Sequence, residues 1–224
     1  MLTELRDGIW WVDLGSVNAY LVDDGGTLTL VDAGPPWRAG AVLEALVEAN
    51  YALTDLDRVL LTHYDVDHVA ALSRLGGLDV EIYAGAGDAG LVAGDQTPEW
   101  RTRKGALQLL TAPLVRAPSA DTNPVTDGDT VGSFTVYETP GHTDGHVAYV
   151  SETLEAAFVG DLVRESDGEL EPSPWFISTD TDQVAASIRR LADRAPGFEV
   201  LGMGHGVPFE RNGKGHLEAV AATL

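Results

Sequence analysis

Short apolar runs alternate with turn residues through the first third of the chain. Gly8 to Val12 and Asn18 to Val22 carry the β-branched and aromatic residues of strands, and Gly25-Gly26 marks a turn between strands. Thr27 to Val31 predicts another strand, ending at Asp32-Ala33-Gly34. Pro35-Pro36 starts a turn. From Ala39 to Ala49 the apolar positions then recur at helical spacing, with Asn50 placed to cap the helix. Arg58 to Leu61 is a short apolar strand that runs directly into His63-Tyr64-Asp65-Val66-Asp67-His68. Val69 to Leu75 predicts a short helix stopped by Gly76-Gly77, and Val80 to Tyr83 a further strand.

Residues 85 to 130 are less regular. They predict a helix around Glu99 to Leu110 and a Pro-containing loop from Pro113 to Asp129. Strand patterns return at Phe134 to Glu138, Val147 to Val150 and Ala156 to Val159, followed by a loop holding Pro172, Pro174, Trp175 and Phe176. Asp180 with Gln183 reads as a capping box for a helix reaching about Ala195. Glu199 to Met203 is a last strand and Gly215 to Leu224 a terminal helix. Strands arrive in two batches, each followed by helix. That order predicts two stacked sheets with helices outside, in one domain over residues 1–224.

Charge changes this otherwise ordinary picture. Asp and Glu total 35 against 14 Lys and Arg, a formal net charge of −21, and only Lys104 and Lys214 are lysines. Such a field repels phosphate backbones, so neither nucleic acid nor an anionic membrane is an expected partner. The acidic residues are spread along the chain, which with the scarcity of lysine fits a halophilic protein whose self-repulsion is screened by salt. There is no cysteine, which excludes disulfides and thiolate metal sites. No signal peptide and no run of about 18–20 apolar residues is visible, so a cytoplasmic protein is expected.

Six histidines are present, and five of them (His63, His68, His142, His146 and His205) fall at predicted strand ends or in loops; His216 sits in the terminal helix. The densest cluster is His63-x-Asp65-x-Asp67-His68. If the segment is extended, positions 63, 65 and 67 point the same way, and His68 follows at the turn into a helix. Imidazole suits zinc, iron and related ions, and carboxylates add hard oxygen ligands. Three further signals follow in order: Thr139-Pro140-Gly141-His142-Thr143-Asp144-Gly145-His146, then Gly160-Asp161 after an apolar run, then Gly204-His205-Gly206 after the last strand.

With Asn18 to Val22, Val31 to Gly34 and Leu61 to His63, these segments resemble the metallo-β-lactamase-fold hydrolases, especially glyoxalase II-like and lactonase-like members, over almost the whole chain. The resemblance implies an αββα four-layer sandwich with two divalent ions, zinc by default, at one edge between the sheets. It assigns His63, residue 65 and His142 to the first ion, Asp67, His68 and His205 to the second, and Asp161 to a bridge. A metal-bridging hydroxide would attack a small thioester, lactone or related ester, with Asp67 and Asp161 as the catalytic carboxylates. Asp32 would orient a ligand imidazole or simply occupy a turn. His146 would lie near the site, where it is expected to satisfy a loop carbonyl, with contact to substrate as the alternative.

One departure matters. The family usually carries His where this chain has Asp65. With the bridging hydroxide counted, a third carboxylate makes a two-ion site formally neutral, weakens it as a Lewis acid, and favours iron or manganese over zinc. If Asp65 is too short to ligate, the first position is weak. The flavodiiron branch carries a carboxylate here, which makes a di-iron or mononuclear-iron oxidoreductase the alternative; the chain has no room for a flavodoxin-like domain. A nuclease is disfavoured by charge, and a non-catalytic relative by the remaining ligand set. The expected partner is a small-molecule substrate, and relatives suggest a homodimer. Trp100, Trp175 and Phe176 are expected to pack their loops onto the core, with lining a pocket as the alternative, and Arg164 to form a surface ion pair, with contact to an anionic substrate group as the alternative.

Overall fold

The computed structural model describes residues 1–75 and 80–224; the predicted helix stop at Gly76-Gly77 lies outside the described residues. The chain opens with four antiparallel strands, β1 (Leu2–Arg6), β2 (Ile9–Asp13), β3 (Asn18–Asp23) and β4 (Leu28–Val31). Helix α1 (Ala39–Glu48) crosses to β5 (Leu56–Leu61), which pairs parallel to β4. A one-turn helix α2 (Val66–Val69) precedes β6 (Glu81–Gly85), α3 (Ala86–Val92), α4 (Arg103–Thr111) and β7 (Thr122–Val125). Strands β1 to β7 form one sheet in sequence order, its second half parallel.

The second sheet has the order β14-β11-β10-β9-β8. It comprises β8 (Thr130–Val131), β9 (Phe134–Glu138), β10 (Val147–Ser151) and β11 (Ala156–Phe158), with β14 (Val200–Gly202) parallel to β11. A hairpin of β12 (Val163–Ser166) and β13 (Glu169–Pro172), helix α5 (Thr181–Arg194) and helix α6 (Gly213–Ala221) complete the strands and α-helices among the described residues.

Alternation along the strands produces the layers. On β3, Tyr20 and Val22 face one apolar cluster while Ala19 and Leu21 face another. On β10, Val147 and Tyr149 join the same inner cluster as Tyr20, and Ala148 and Val150 turn to α5 residues Val184, Ile188 and Leu191. Because a strand's side chains alternate sides, each sheet buries both faces: one against the other sheet, one against helices. This is the expected αββα sandwich. No helix among the described residues is long and apolar enough to cross a membrane.

Several local expectations are corrected. The segment after β5 is not extended through residue 67: helix α2 starts at Val66, so Asp67 and His68 sit in a helical turn and Asp65 is its N-cap. The helix expected from Glu99 starts at Arg103, because the Thr102 side chain accepts the Gly105 N–H and caps it there. Strand β7 lies inside the expected Pro loop; Pro124 is tolerated because β7 is the sheet's edge. Helix α3 was hidden by its glycines, of which Gly87 packs where a Cβ would overlap Gly145. The β12–β13 hairpin turns at Asp167-Gly168, both at positive φ (54 and 84), a type I′ pair whose charged strands lack an apolar alternation. Asp180 does cap α5, but its own N–H bonds Gly141 O at 2.9 Å instead of closing a box with Gln183.

Candidate metal centre

The site forms where strands of both sheets end on the same side of the sandwich. His63 follows β5, with Asp65, Asp67 and His68 around α2; His142 lies in the β9–β10 loop, Asp161 follows β11, and His205 follows β14. Two groups of potential ligand atoms result, each within 4.8 Å of one another: His63, His142 and Asp161, and Asp67, His68 and His205. Asp161 stands between them. Its Oδ1 is 3.4 Å from His68 Nε2, and its Oδ2 is 3.2 Å from His205 Nε2 and 3.6 Å from His142 Nε2. Asp67 Oδ2 is 3.8 Å from His205 Nε2.

These spacings fit a cation. Ligands held tetrahedrally at about 2.0–2.1 Å lie roughly 3.4 Å apart. The inward atoms also lack any other use: His63 Nε2, His68 Nε2 and Asp161 Oδ1 are buried without a hydrogen-bond partner, an arrangement that costs about 1–3 kcal/mol per group unless something binds there.

The outward nitrogens of the four imidazoles are each fixed by a neighbour. His68 Nδ1 meets Asp32 Oδ2 at 2.9 Å, His63 Nδ1 meets Thr62 Oγ1 at 3.0 Å, His142 Nδ1 meets Ser173 Oγ at 2.8 Å, and His205 Nδ1 contacts Ser16 O. Thr62 gives its one hydroxyl proton to Asp32. His63 must therefore donate from Nδ1, which leaves the Nε2 lone pair facing inward. Asp32 thus fixes the His68 ring and also holds a positive φ of 55 at its turn. Gly204 leaves room for the cluster: a Cβ there would overlap Asp161 Oδ1 and His68 Cε1.

Electrostatics sort the groups. Burial, then the neighbouring His68, pushes His63 down to about 4, so it is neutral. Burial opposes charge on His68, but Asp161 and Asp32 outweigh it and raise this histidine well above its usual value. Burial likewise opposes Asp161, and His68 and His205 overcome it to hold the carboxyl well below the usual range.

Asp65 points into the first group, 3.4 Å from His63 Nε2 and 3.1 Å from His142 Nε2. Two α4 residues also claim it. Gln108 Nε2 donates to Asp65 Oδ1 at 3.1 Å, and the Lys104 ammonium bonds Asp65 Oδ2 and reaches His142 Nε2 at 2.8 Å. Lys104 is buried; its scarcity in the chain was its only sequence signal. Asp88 of α3 gave none. Its buried carboxylate accepts from Tyr64 N, Thr143 Oγ1 and Gly145 N, tying the loop after β5 to the β9–β10 loop.

His146 does not satisfy a loop carbonyl. Its Nδ1 pairs with Thr139 Oγ1 at 2.8 Å and its ring stacks on His63. Trp100, Trp175 and Phe176 do not pack on the core; they are 67%, 64% and 53% exposed, and Arg103 covers the Trp175 ring at 4.7 Å. Arg164 forms its expected surface pair, with Glu171 at 2.6 Å. Above the cluster a cleft of about 340 Å³ opens, walled by Pro35, Trp37, Val66, Leu107 and Ile177, with Asp67, Asp161 and His205 also lining it.

Comparison with known proteins agrees with this architecture. A family model described as "Metallo-beta-lactamase superfamily" matches residues 12–205. The chain is 26% identical to the probable metallo-hydrolase YflN of Bacillus subtilis over 99% of this chain and 92% of that one. It is 33% identical to a hydroxyacylglutathione hydrolase of Cereibacter sphaeroides over 64% of this chain, but spans only 46% of that relative. The crystal structure of TTHA1623 in a di-iron-bound form superposes with a TM-score of 0.66 at 28% identity, over 91% of this chain and 92% of that one.

Proposed function

The chain belongs to the metallo-β-lactamase superfamily, and from that premise we propose that it is a metal-dependent hydrolase of a small lactone, thioester or related ester. The observation that carries this reading is the convergence of buried, unpartnered ligand atoms of His63, His68 and Asp161 beside an apolar-walled cleft that Asp161 lines. Asp67, His68, His205 and Asp161 would hold a divalent ion, and His63 and His142 adjoin it. Such an ion lowers the pKa of a coordinated water and polarises a carbonyl oxygen.

The chain's own residues do the rest. Asp161 and the fixed imidazoles hold the ligand frame without rearrangement. Asp67, partly exposed at the cleft floor, is placed to take the proton that the attacking water gives up and return it to the departing alkoxide or thiolate. Trp37, Leu107 and Ile177 offer the acyl part an apolar wall. The net charge of −21 disfavours polyanionic substrates.

The test is a panel of lactones, aryl esters and acyl thioesters of increasing acyl length, assayed with zinc-, manganese- and iron-loaded protein. Chelator-sensitive hydrolysis that improves with acyl length, and that Asp67→Asn lowers by about 100-fold or more, is expected. No hydrolysis of any member by loaded protein overturns the reading. The third carboxylate, Asp65, and the di-iron-bound TTHA1623 favour one alternative, an iron oxidoreductase; oxygen uptake by iron-loaded protein would establish it.

A further inference from the structure

The two ligand groups are not equivalent in this chain. The Asp67, His68 and His205 group with Asp161 contains no lysine or arginine, and His68 Nε2 and Asp161 Oδ1 have no hydrogen-bond partner. The other group contains the Lys104 ammonium. Lys104 and Gln108 lie four residues apart on one face of α4 and together engage both oxygens of Asp65. Lys104 Nζ also lies 2.8 Å from His142 Nε2, where an N–H donates into the lone pair an ion would need. His142 Nδ1 is already engaged by Ser173 Oγ, so the ring is held in the orientation that presents Nε2 to the lysine.

We propose that Lys104, paired with Asp65, stands in place of a cation at the first position, so that the protein binds a single divalent ion, at Asp67, His68, His205 and Asp161. The charges agree. Asp65, Asp67 and Asp161 carry three negative charges; one divalent ion and one ammonium balance them, whereas a second divalent ion would leave the cluster at plus two, or plus one with a bridging hydroxide. That ion would also sit directly against the Lys104 ammonium, which is buried and lies 2.8 Å from the nitrogen the ion would need. His63 Nε2 is the one first-group nitrogen left free, and one imidazole does not make a site. Asp65 and Lys104 are thus a matched pair: the carboxylate that departs from the family's usual histidine is the partner that holds the lysine in place.

The proposal rests on the hydrolase reading only in taking the cluster to bind metal. Its test is equilibrium dialysis of the full chain against zinc and against manganese, with bound metal measured by elemental analysis, and anomalous diffraction to place the ion. One ion per chain, seated between His68 and His205, is expected, and Lys104→Met should raise the count toward two. Because that variant loses a buried contact, Lys104→Gln and a circular dichroism melt accompany it; either variant, if folded, should gain the second ion. Two ions of similar affinity in the unaltered protein, a single ion between His63 and His142, or a folded variant that still takes only one, would each overturn the proposal while leaving the hydrolase reading intact. No bound metal at all would overturn both.

Discussion

Asp32 and His68 are joined by a 2.9 Å contact between Oδ2 and Nδ1, and the same carboxylate also accepts from the Thr62 N–H and hydroxyl. One side chain at the end of β4 therefore sets the aim of a histidine on α2 and the exit of β5. Asp32→Asn keeps the shape but turns an NH2 toward a donor. The expected outcome is a loss of about 10–100-fold in metal affinity and of about 1–3 kcal/mol in stability. Competition with a chromogenic chelator and a urea melt measure the two. Unchanged metal affinity would show that His68 needs no such support.

Metal uptake should compete with protons. In the ion-free fold Asp161 and Asp32 raise His68 well above its usual value, so it is protonated at neutral pH. A ligand imidazole must be neutral, so binding expels that proton. Affinity should rise as pH increases through the neutral range, and titration in weak buffer should show acidification. Calorimetry in two buffers of different ionisation enthalpy gives the proton count; a count of zero at neutral pH contradicts this account.

The ligand loops leave no spare volume. Gly204→Ala places a methyl group against Asp161 Oδ1 and His68 Cε1. It should cost about 1–3 kcal/mol through overpacking and reduce bound metal far more than Gly197→Ala, where a Cβ meets open space. Equal metal content in the two variants would mean that the loop yields.

Salt should stabilise this chain. With a net charge of −21 the fold repels itself, and raising salt from about 0.1 M to 1 M shortens the screening length from about 10 Å to about 3 Å. The thermal midpoint should climb by several degrees over that range in sodium chloride. A flat or falling curve would detach the acidic surface from any adaptation to salt.

Where the sequence was legible, the chemistry was local. His63, His142, Asp161 and His205 each follow a strand within a few residues, and Gly or Pro beside most of them marks the turn; the structure gathers all four. Asp65 also arrives at the cluster, but its role depends on a helix whose start was read four residues early. Lys104, Gln108 and Asp88 act across tens of residues, and no nearby pattern announces them. The aromatic residues misled for a different reason: Trp100, Trp175 and Phe176 look like core residues, but the loops that carry them leave them in solvent. Trp37, which lines the cleft, sits beside a Pro-Pro turn that suggested only a bend.

The ligand frame draws on both sheets, Asp67 and His68 from the larger and Asp161 and His205 from the smaller. An ion held there would rivet the two halves of the sandwich together. During synthesis the early ligands would leave the ribosome long before the late ones. A chain paused between them could offer passing cations only the weak grip of one helical turn. Secure loading would come only after the strand before His205 had docked. A retained ion would then mark a molecule that had finished folding, and chelation would loosen the seam between the sheets before it touched either outer layer of helices.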